Sequence, residues 1–255
     1  MNYDEVYEEA ENQYVLENYQ EALKLFKQAQ SLLNSGDCLN YIGCCYLRLN
    51  DYASAKEVFS KLIETHSDWE RPVMNLGRMY LELGDHEKAV ELLEQASKID
   101  PNSEDVYFYL GLSYYEIKDY EKAVVYYKRS LEINNEQSET HLNLGKCYFK
   151  LKLIEMAVKE FDVAFKLDND CIDAIYNKGV VFYKIKNYTE ALSWFQEANK
   201  HEPNDIEIIY HIALCYFRMK DYKNCITWGK AVLMIDPQHP YANKLVNDVS
   251  LLVED

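Results

Sequence analysis

The chain has 255 residues, of which 48% are hydrophobic and 27% charged, with only 8 Gly and 5 Pro. That balance excludes a disordered polymer, and so few turn formers argue against a β-rich fold and for helices joined by tight turns. The net charge of −16 disfavours nucleic acid and anionic membranes, whose phosphates need cationic side chains, and favours a basic or mixed-charge polypeptide as partner.

Reading from the N-terminus, Met1 to Glu9 has no basic start and no apolar segment, so it is not a secretory signal. No apolar run approaches the roughly 18 residues that a membrane span needs. The seven Cys lack paired spacing and read as reduced thiols of a cytoplasmic protein. Starting with Met and closing on an amphipathic helix, the chain reads as complete.

A repeat follows along the chain. Gly43, Gly77, Gly111, Gly145 and Gly179 are each 34 residues apart, and Ala213 continues the series. Three residues after each stands an aromatic: Tyr46, Tyr80, Tyr114, Tyr148, Phe182 and Tyr216. Then come Ala55, Ala89, Ala123, Ala157, Ala191 and Cys225, followed by Phe59, Leu93, Tyr127, Phe161 and Phe195. At the last place the series breaks, with Gly229 preceded by Trp228. Pro101, Pro203 and Pro237 share one phase. The spacing of Leu110, Gly111 and Tyr114 predicts one helical face, and Ala123, Tyr127 and Leu131 a second beyond the turn at Lys118-Asp119. Each unit is thus two antiparallel helices. The small residue allows close approach of two backbones, and proline ends the second helix.

The pattern resembles the tetratricopeptide repeat family, whose motif runs Trp-x2-Leu-Gly-x2-Tyr, then Ala, an aromatic residue and Pro over about 34 residues. Seven repeats fit within 1–239, at 3–35, 36–69, 70–103, 104–137, 138–171, 172–205 and 206–239. The motif Trp is replaced throughout, by Leu39, Val73, Tyr107, His141, Ile175 and Ile209. The first repeat has Glu9, Ala10 and Gln13 for Leu, Gly and Tyr, as suits a terminal unit with a polar outer face. Cys225 and Gly229 predict a second helix in the last repeat that packs differently. Residues 240–255 read as a capping helix with Tyr241, Leu245, Val249 and Leu252 as its apolar stripe. The resemblance implies an all-α, right-handed superhelical α-solenoid of helical hairpins. It implies a non-catalytic protein–protein interaction scaffold that holds an extended peptide or partner segment in its concave groove. The alternatives are a self-assembling homo-oligomer and an enzyme or enzyme accessory subunit.

Residue chemistry offers no catalytic, cofactor or metal site. Asp168, Asn169, Asp170 and Asp173 have the spacing of a calcium loop only at its start: Asp173 and Gly179 stand where Gly and Glu are required. They read instead as caps of the next helix. Cys38, Cys44 and Cys45 lack the paired spacing of a zinc site. The six His are scattered, and no glycine-rich phosphate loop occurs. Asn187-Tyr188-Thr189 matches a glycosylation acceptor, which the missing secretory signal makes irrelevant.

In the resembling family, first helices line the inner groove. The stripe they leave free of packing, three places before the glycine and one and four after, predicts the groove residues. It holds Met74, Arg78 and Leu81, then Phe108, Leu112 and Tyr115, then Leu142, Lys146 and Phe149, then Tyr176, Val180 and Tyr183, then Tyr210, Leu214 and Phe217. Its C-terminal half is apolar, as interaction sites often are, while its N-terminal start, Asn40, Cys44 and Leu47, is more polar. Asn75, Asn143 and Asn177 share a place two before the glycine; in related superhelices such amides grip a peptide backbone, which a carboxamide can do as donor and acceptor. Tyr109 interrupts the series, and Tyr41 and His211 flank it. The Lys-Asn-Asn-Lys-Arg clamp by which some members hold acidic chaperone C-termini is absent: Tyr7, Asn40, Met74, Phe108, Leu142, Tyr176 and Tyr210 stand where its first Lys would be.

Overall fold

A computed structural model describes residues 2–252. The described residues form fifteen α-helices and no strand. They fall into two compact units that part between Asn134 and Asn135. The first unit holds α1 (Tyr3–Val15), α2 (Tyr19–Leu32), α3 (Gly36–Arg48), α4 (Tyr52–Thr65), α5 (Glu70–Glu82), α6 (His86–Ile99), α7 (Glu104–Glu116) and α8 (Tyr120–Ile133). The second holds α9 (Ser138–Lys150), α10 (Ile154–Leu167), α11 (Ile172–Lys184), α12 (Tyr188–His201), α13 (Ile206–Arg218), α14 (Tyr222–Ile235) and α15 (Pro240–Leu251). Within each unit, consecutive helices pair as hairpins, and the second helix of a pair packs on the first helix of the next. First helices also touch one another, α3 with α5, α5 with α7, and α9 with α11.

The turns explain why the hairpin recurs. Each first helix ends at a left-handed residue, namely Glu17, Asn50, Gly84, Lys118, Lys152, Lys186 and Lys220, with φ between 61° and 77°. Only Gly84 adopts this conformation freely; an L side chain there costs about 1–2 kcal/mol, which the surrounding hydrogen bonds must offset. One such bond runs from Asp119 N to Tyr114 O at 2.9 Å, satisfying a carbonyl at the helix end. The next residue then caps the second helix. Asp51, Asp85, Asp119, Asn187 and Asp221 each accept a backbone N–H three residues on.

Packing follows the glycine register. A Cβ on Gly43 would lie 2.5 Å from Phe59, and one on Gly111 2.6 Å from Tyr127; Gly145 meets Phe161 and Gly179 meets Phe195 in the same way. Those rings are almost wholly buried. The glycine is therefore the space into which the second helix inserts its ring. Six large side chains in phase, Phe26, Phe59, Leu93 and Tyr127 in the first unit and Phe161 and Phe195 in the second, are almost wholly buried, at about 1.5–3 kcal/mol for each.

Two details depart from expectation. The buried stripe of α15 is Ala242, Leu245, Val246 and Val249, whereas Tyr241 and Leu252 are 67% and 53% exposed. The i, i+3, i+4, i+7 spacing sets that face, and Tyr241 and Leu252 lie beside it. Val253 lies outside the described residues. Nor do the acidic residues before α11 cap it: Cys171 is the N-cap, without a side-chain bond. Asp168 instead accepts from Asp170 N at 2.9 Å, closing its own turn.

Candidate functional site

In the second unit, the face built by α9, α11 and α13 carries a half-buried stripe: Asn143, Lys146, Tyr176, Asn177, Val180, Tyr210 and Leu214. Leu142 is buried beneath it, 6% exposed. The Asn143 side chain makes no hydrogen bond among the described residues. Asn177 Nδ2 donates to the Asp173 carbonyl at 2.7 Å, which fixes the side chain and leaves its Oδ1 as an acceptor. Tyr176 packs its ring against Phe195 and His211, at 5.6 and 5.4 Å between centroids. Burial pushes its hydroxyl up to about 12, helped by Glu207, Asp205 and Asp173. It therefore stays a neutral phenol. Tyr183 is held by Arg218 Nε at 3.1 Å and stacks edge-on against Tyr188. The aromatics of this face thus serve both packing and surface.

A recess of about 220 Å³ opens at one end of that stripe, between Ile172, Tyr176 and Ile208, with Asp173, Glu202, Asp205 and Glu207 around it. Asp205 is already engaged as the cap of α13, accepting from Ile208 N at 2.8 Å.

In the first unit the corresponding face, on α3, α5 and α7, is more polar. Asn75 is buried, and its Nδ2 donates to Asn40 Oδ1 at 3.0 Å. Arg78 Nε donates to Glu82 at 3.2 Å, and its guanidinium lies 5.7 Å from the ring centre of Tyr109. Phe108 and Leu112 are half-buried. Phe108 lies against Tyr109 and Tyr127, and Tyr115 against Tyr120. The structure thus brings Asn75 and Arg78 together in this unit, with Phe108, Leu112 and Tyr115 on α7, and gathers the remaining predicted residues in the other.

Sequence reading missed two features. Arg48 and Arg71 join Arg78 around Cys44; a three-residue count of arginines on α3 and α5 would have found them. Lys178 stands at the motif Leu place, 6% exposed, with Nζ 2.5 Å from Asp162 and 3.4 Å from the centre of the Trp194 ring. His211, which flanks the asparagine series as the sequence already indicates, has its Nδ1 2.8 Å from the Glu207 carbonyl. The six buried thiols are inert. Burial pushes Cys45, Cys147 and Cys215 up to about 12, and Cys38, Cys44 and Cys225 up to about 11.

Comparison with known proteins matches this architecture. Tetratricopeptide repeat models match residues 37–68, 77–118, 104–136 and 138–171. A model described as anaphase-promoting complex, cyclosome, subunit 3 matches 162–232. No curated protein matches the chain by sequence. Among solved structures, YrrB, described as a TPR protein with an unusual peptide-binding site, is 20% identical with a TM-score of 0.61, over 73% of this chain and 96% of its own. The APC/C hetero-tetramer Cut9–Hcn1 is 20% identical with a TM-score of 0.71, over 89% of this chain and 45% of that one. The C-terminal part of a TPR repeat-containing protein from Cytophaga hutchinsonii is 18% identical with a TM-score of 0.68, over 94% of this chain and 99% of its own. No described helix is long and apolar enough to cross a membrane. With its 34-residue hairpin register, its glycine-to-ring crossings and these matches, the chain belongs to the tetratricopeptide repeat family.

Proposed function

We propose that the chain is a non-catalytic protein-interaction scaffold that holds an extended polypeptide segment on its first-helix faces, in a cytoplasmic setting. The observation that carries this reading is the second-unit stripe. Tyr176, Val180, Tyr210 and Leu214 remain half-buried although each could have been covered, and Asn143 beside them has no hydrogen-bond partner among the described residues. An extended segment supplies what is missing. Its side chains cover the apolar stripe, at about 1.5–3 kcal/mol for each one fully buried. Its backbone pairs with Asn143 and with the free Oδ1 of Asn177. Two or three such anchors reach roughly micromolar affinity. Lys146 adds a cation in a protein of net charge −16, so the segment need not be basic throughout. The printed description of YrrB as carrying a peptide-binding site supports the same use of the fold.

The test begins with affinity capture from the native cell extract and mass spectrometry. The captured segment is then titrated against Asn143→Ala/Asn177→Ala and Tyr176→Ala/Val180→Ala. Each double variant is expected to keep its helical circular dichroism and to bind about tenfold or more weakly, since an amide deprived of its partner costs about 1–3 kcal/mol. Parental affinity in both would rule out this face.

A further inference from the structure

The recess beside the second-unit stripe adds a chemistry of its own to the scaffold reading, on which its use rests. Its walls are Ile172 and the Tyr176 ring, both half-buried, and its floor is Ile208, 3% exposed. At about 220 Å³ it is smaller than the roughly 300–1,000 Å³ of small-molecule sites and suits one long side chain. Carboxylates rim it from three helices: Asp173 in the first turn of α11, Glu202 at the end of α12, and Asp205 and Glu207 at the start of α13. Among the described residues no three acidic, His or Cys side chains gather closely enough to hold a metal ion. The carboxylates therefore stand around the opening rather than about one point.

Helix electrostatics accounts for three of the four. Asp205 caps α13 through Ile208 N, and Asp173 and Glu207 lie in first turns, where the helix dipole favours an anion. Glu202 has no such reason. It is the C-cap of α12, the end at which an anion is unfavourable. Its counterparts Asp100, Asp168 and Asp236 are C-caps too, but each accepts the backbone N–H two residues on, at 2.8, 2.9 and 3.0 Å. Glu202, one methylene longer, makes no such bond and lines the recess instead. The side chains of Asp173 and Glu207 likewise make no hydrogen bond or ion pair among the described residues. Lys178 of α11 and Lys200 of α12 are already paired, with Asp162 and Glu197. Asp173, Asp205 and Glu207 all raise the Tyr176 hydroxyl, and no cation counters them. An apolar throat thus opens into a negative field that this chain does not neutralise.

We propose that the recess takes a lysine side chain of the bound segment, at the end of the apolar stripe. The four-carbon stem lies along Ile172, Ile208 and the Tyr176 ring, and the ammonium reaches the rim. An ammonium has three donors that point apart. Carboxylates from three helices, Asp173, Glu202 and Glu207, can take one each. A guanidinium presents a planar fork that suits one carboxylate gripped by two bonds, and is a poorer match for a dispersed rim. Tyr176 belongs to both stripe and recess, so the two read one segment: apolar residues along α11 and α13, then a lysine. Its place at one end fixes the direction in which the segment runs.

The test follows the Ile172 and Ile208 methyl signals of the full chain by NMR as Nα-acetyl-lysine methylamide is added. The control is the norleucine compound, which keeps the stem and lacks the ammonium. The lysine compound is expected to bind with a Kd of about 1 mM. Norleucine is expected to bind about tenfold more weakly, and the lysine affinity to fall as salt rises. Trimethyl-lysine, which has no donors, and arginine are each expected to bind about threefold more weakly than lysine. Glu202→Gln/Glu207→Gln is expected to lose about tenfold. Glu202→Asp keeps the charge but shortens the arm, so the carboxylate can close its own turn as Asp168 does. It is expected to lose about threefold while the melting temperature stays at or above the parent's, a pairing no unfolded variant would show. Equal binding of lysine and norleucine, tighter binding of arginine, or a lysine affinity indifferent to both variants overturns the proposal. If the lysine compound fails while a captured segment still depends on Asn143 and Asn177, the recess falls and the scaffold reading stands. If it binds through Glu202 and Glu207 while the segment ignores Asn143 and Asn177, the recess stands and the second-unit face falls.

Discussion

The interior hairpins and the last one solve the same packing problem differently. At Gly43, Gly111, Gly145 and Gly179, a ring from the second helix fills the space a Cβ would need, and at Gly77 Leu93 does so. In the last hairpin Ala213 holds the glycine place and Gly229 the ring place. There the volume is supplied by α15: a Cβ on Gly229 would lie 2.6 Å from Val246 Cγ2. The register therefore demands one filled volume at each crossing, not one residue type. Interior hairpins fill it from within, and the last depends on the helix that follows.

The largest effect that breaks this comparison is removal of 240–255. It strips Leu245, Val246 and Val249 from Ala213, Cys225 and Gly229. Each loss is worth up to about 1.5–3 kcal/mol, and repeat stability is a sum of local and neighbour terms. Amide exchange is expected to accelerate in α13 and α14 while α3 to α8 keep their protection. A uniform acceleration would refute the local dependence. Next comes Gly111→Leu, which forces a side chain into the Tyr127 ring and is expected to cost about 1–3 kcal/mol. A urea midpoint equal to the parent's would mean that the crossing is looser than described.

A smaller effect contrasts Lys178 with its counterparts Ile42, Leu76, Leu110, Leu144 and Ile212. Lys178 buries its ammonium between Asp162 and the Trp194 ring, but the Asp162 side chain is 56% exposed. Water already screens that carboxylate, so Asp162→Asn is expected to cost only about 1 kcal/mol. Lys178→Leu restores the motif residue and is expected to fall within about 1.5 kcal/mol of the parent on either side. A loss of several kcal/mol in Lys178→Leu, read from denaturant melts, would show that the charge itself holds α10 to α12.

The fold was legible because its signal is redundant. Gly111, Tyr114, Ala123 and Tyr127 state one crossing four ways, and the chain repeats the statement at each hairpin. The site was legible only as a stripe. Phase alone says that Asn75, Asn143 and Asn177 share a position, but not that Asn75 is spent on Asn40 while Asn143 is open. That depends on which side chain the adjacent repeat offers, and Asn40 stands one place off the series. Arg48, Arg71 and Arg78 stood outside the repeat signal, since they occupy three different motif positions, one on α3 and two on α5. The capping stripe was misread at Tyr241 and Leu252 because a 12-residue helix offers too few turns to fix the phase of its buried face.

The thiols give the subtlest reading of the same contrast. Cys171 is half-exposed, and the other six cysteines are buried. Burial raises those six to about 11 or about 12, so near pH 8 they remain protonated in the folded chain and only Cys171 is expected to react quickly with a thiol reagent. Cys225 differs from Cys45, Cys147 and Cys215 in what covers it, for it packs with Leu245 and Val249 of α15. Removing 240–255 is expected to convert Cys225 alone into a second fast thiol. The sign of the pH dependence follows from the same shifts. Unfolded thiols ionise near pH 8.5, so the unfolded chain loses these protons first, and the contribution to stability present below that pH is lost as pH rises towards 11 and 12. Melts taken from pH 8 to pH 11 should fall in parallel with thiol ionisation, and less steeply in Cys45→Ala/Cys147→Ala than in the parent. If the truncated chain still shows a single fast thiol, α15 does not cover the last hairpin, and the dependence of Gly229 on Val246 goes with it.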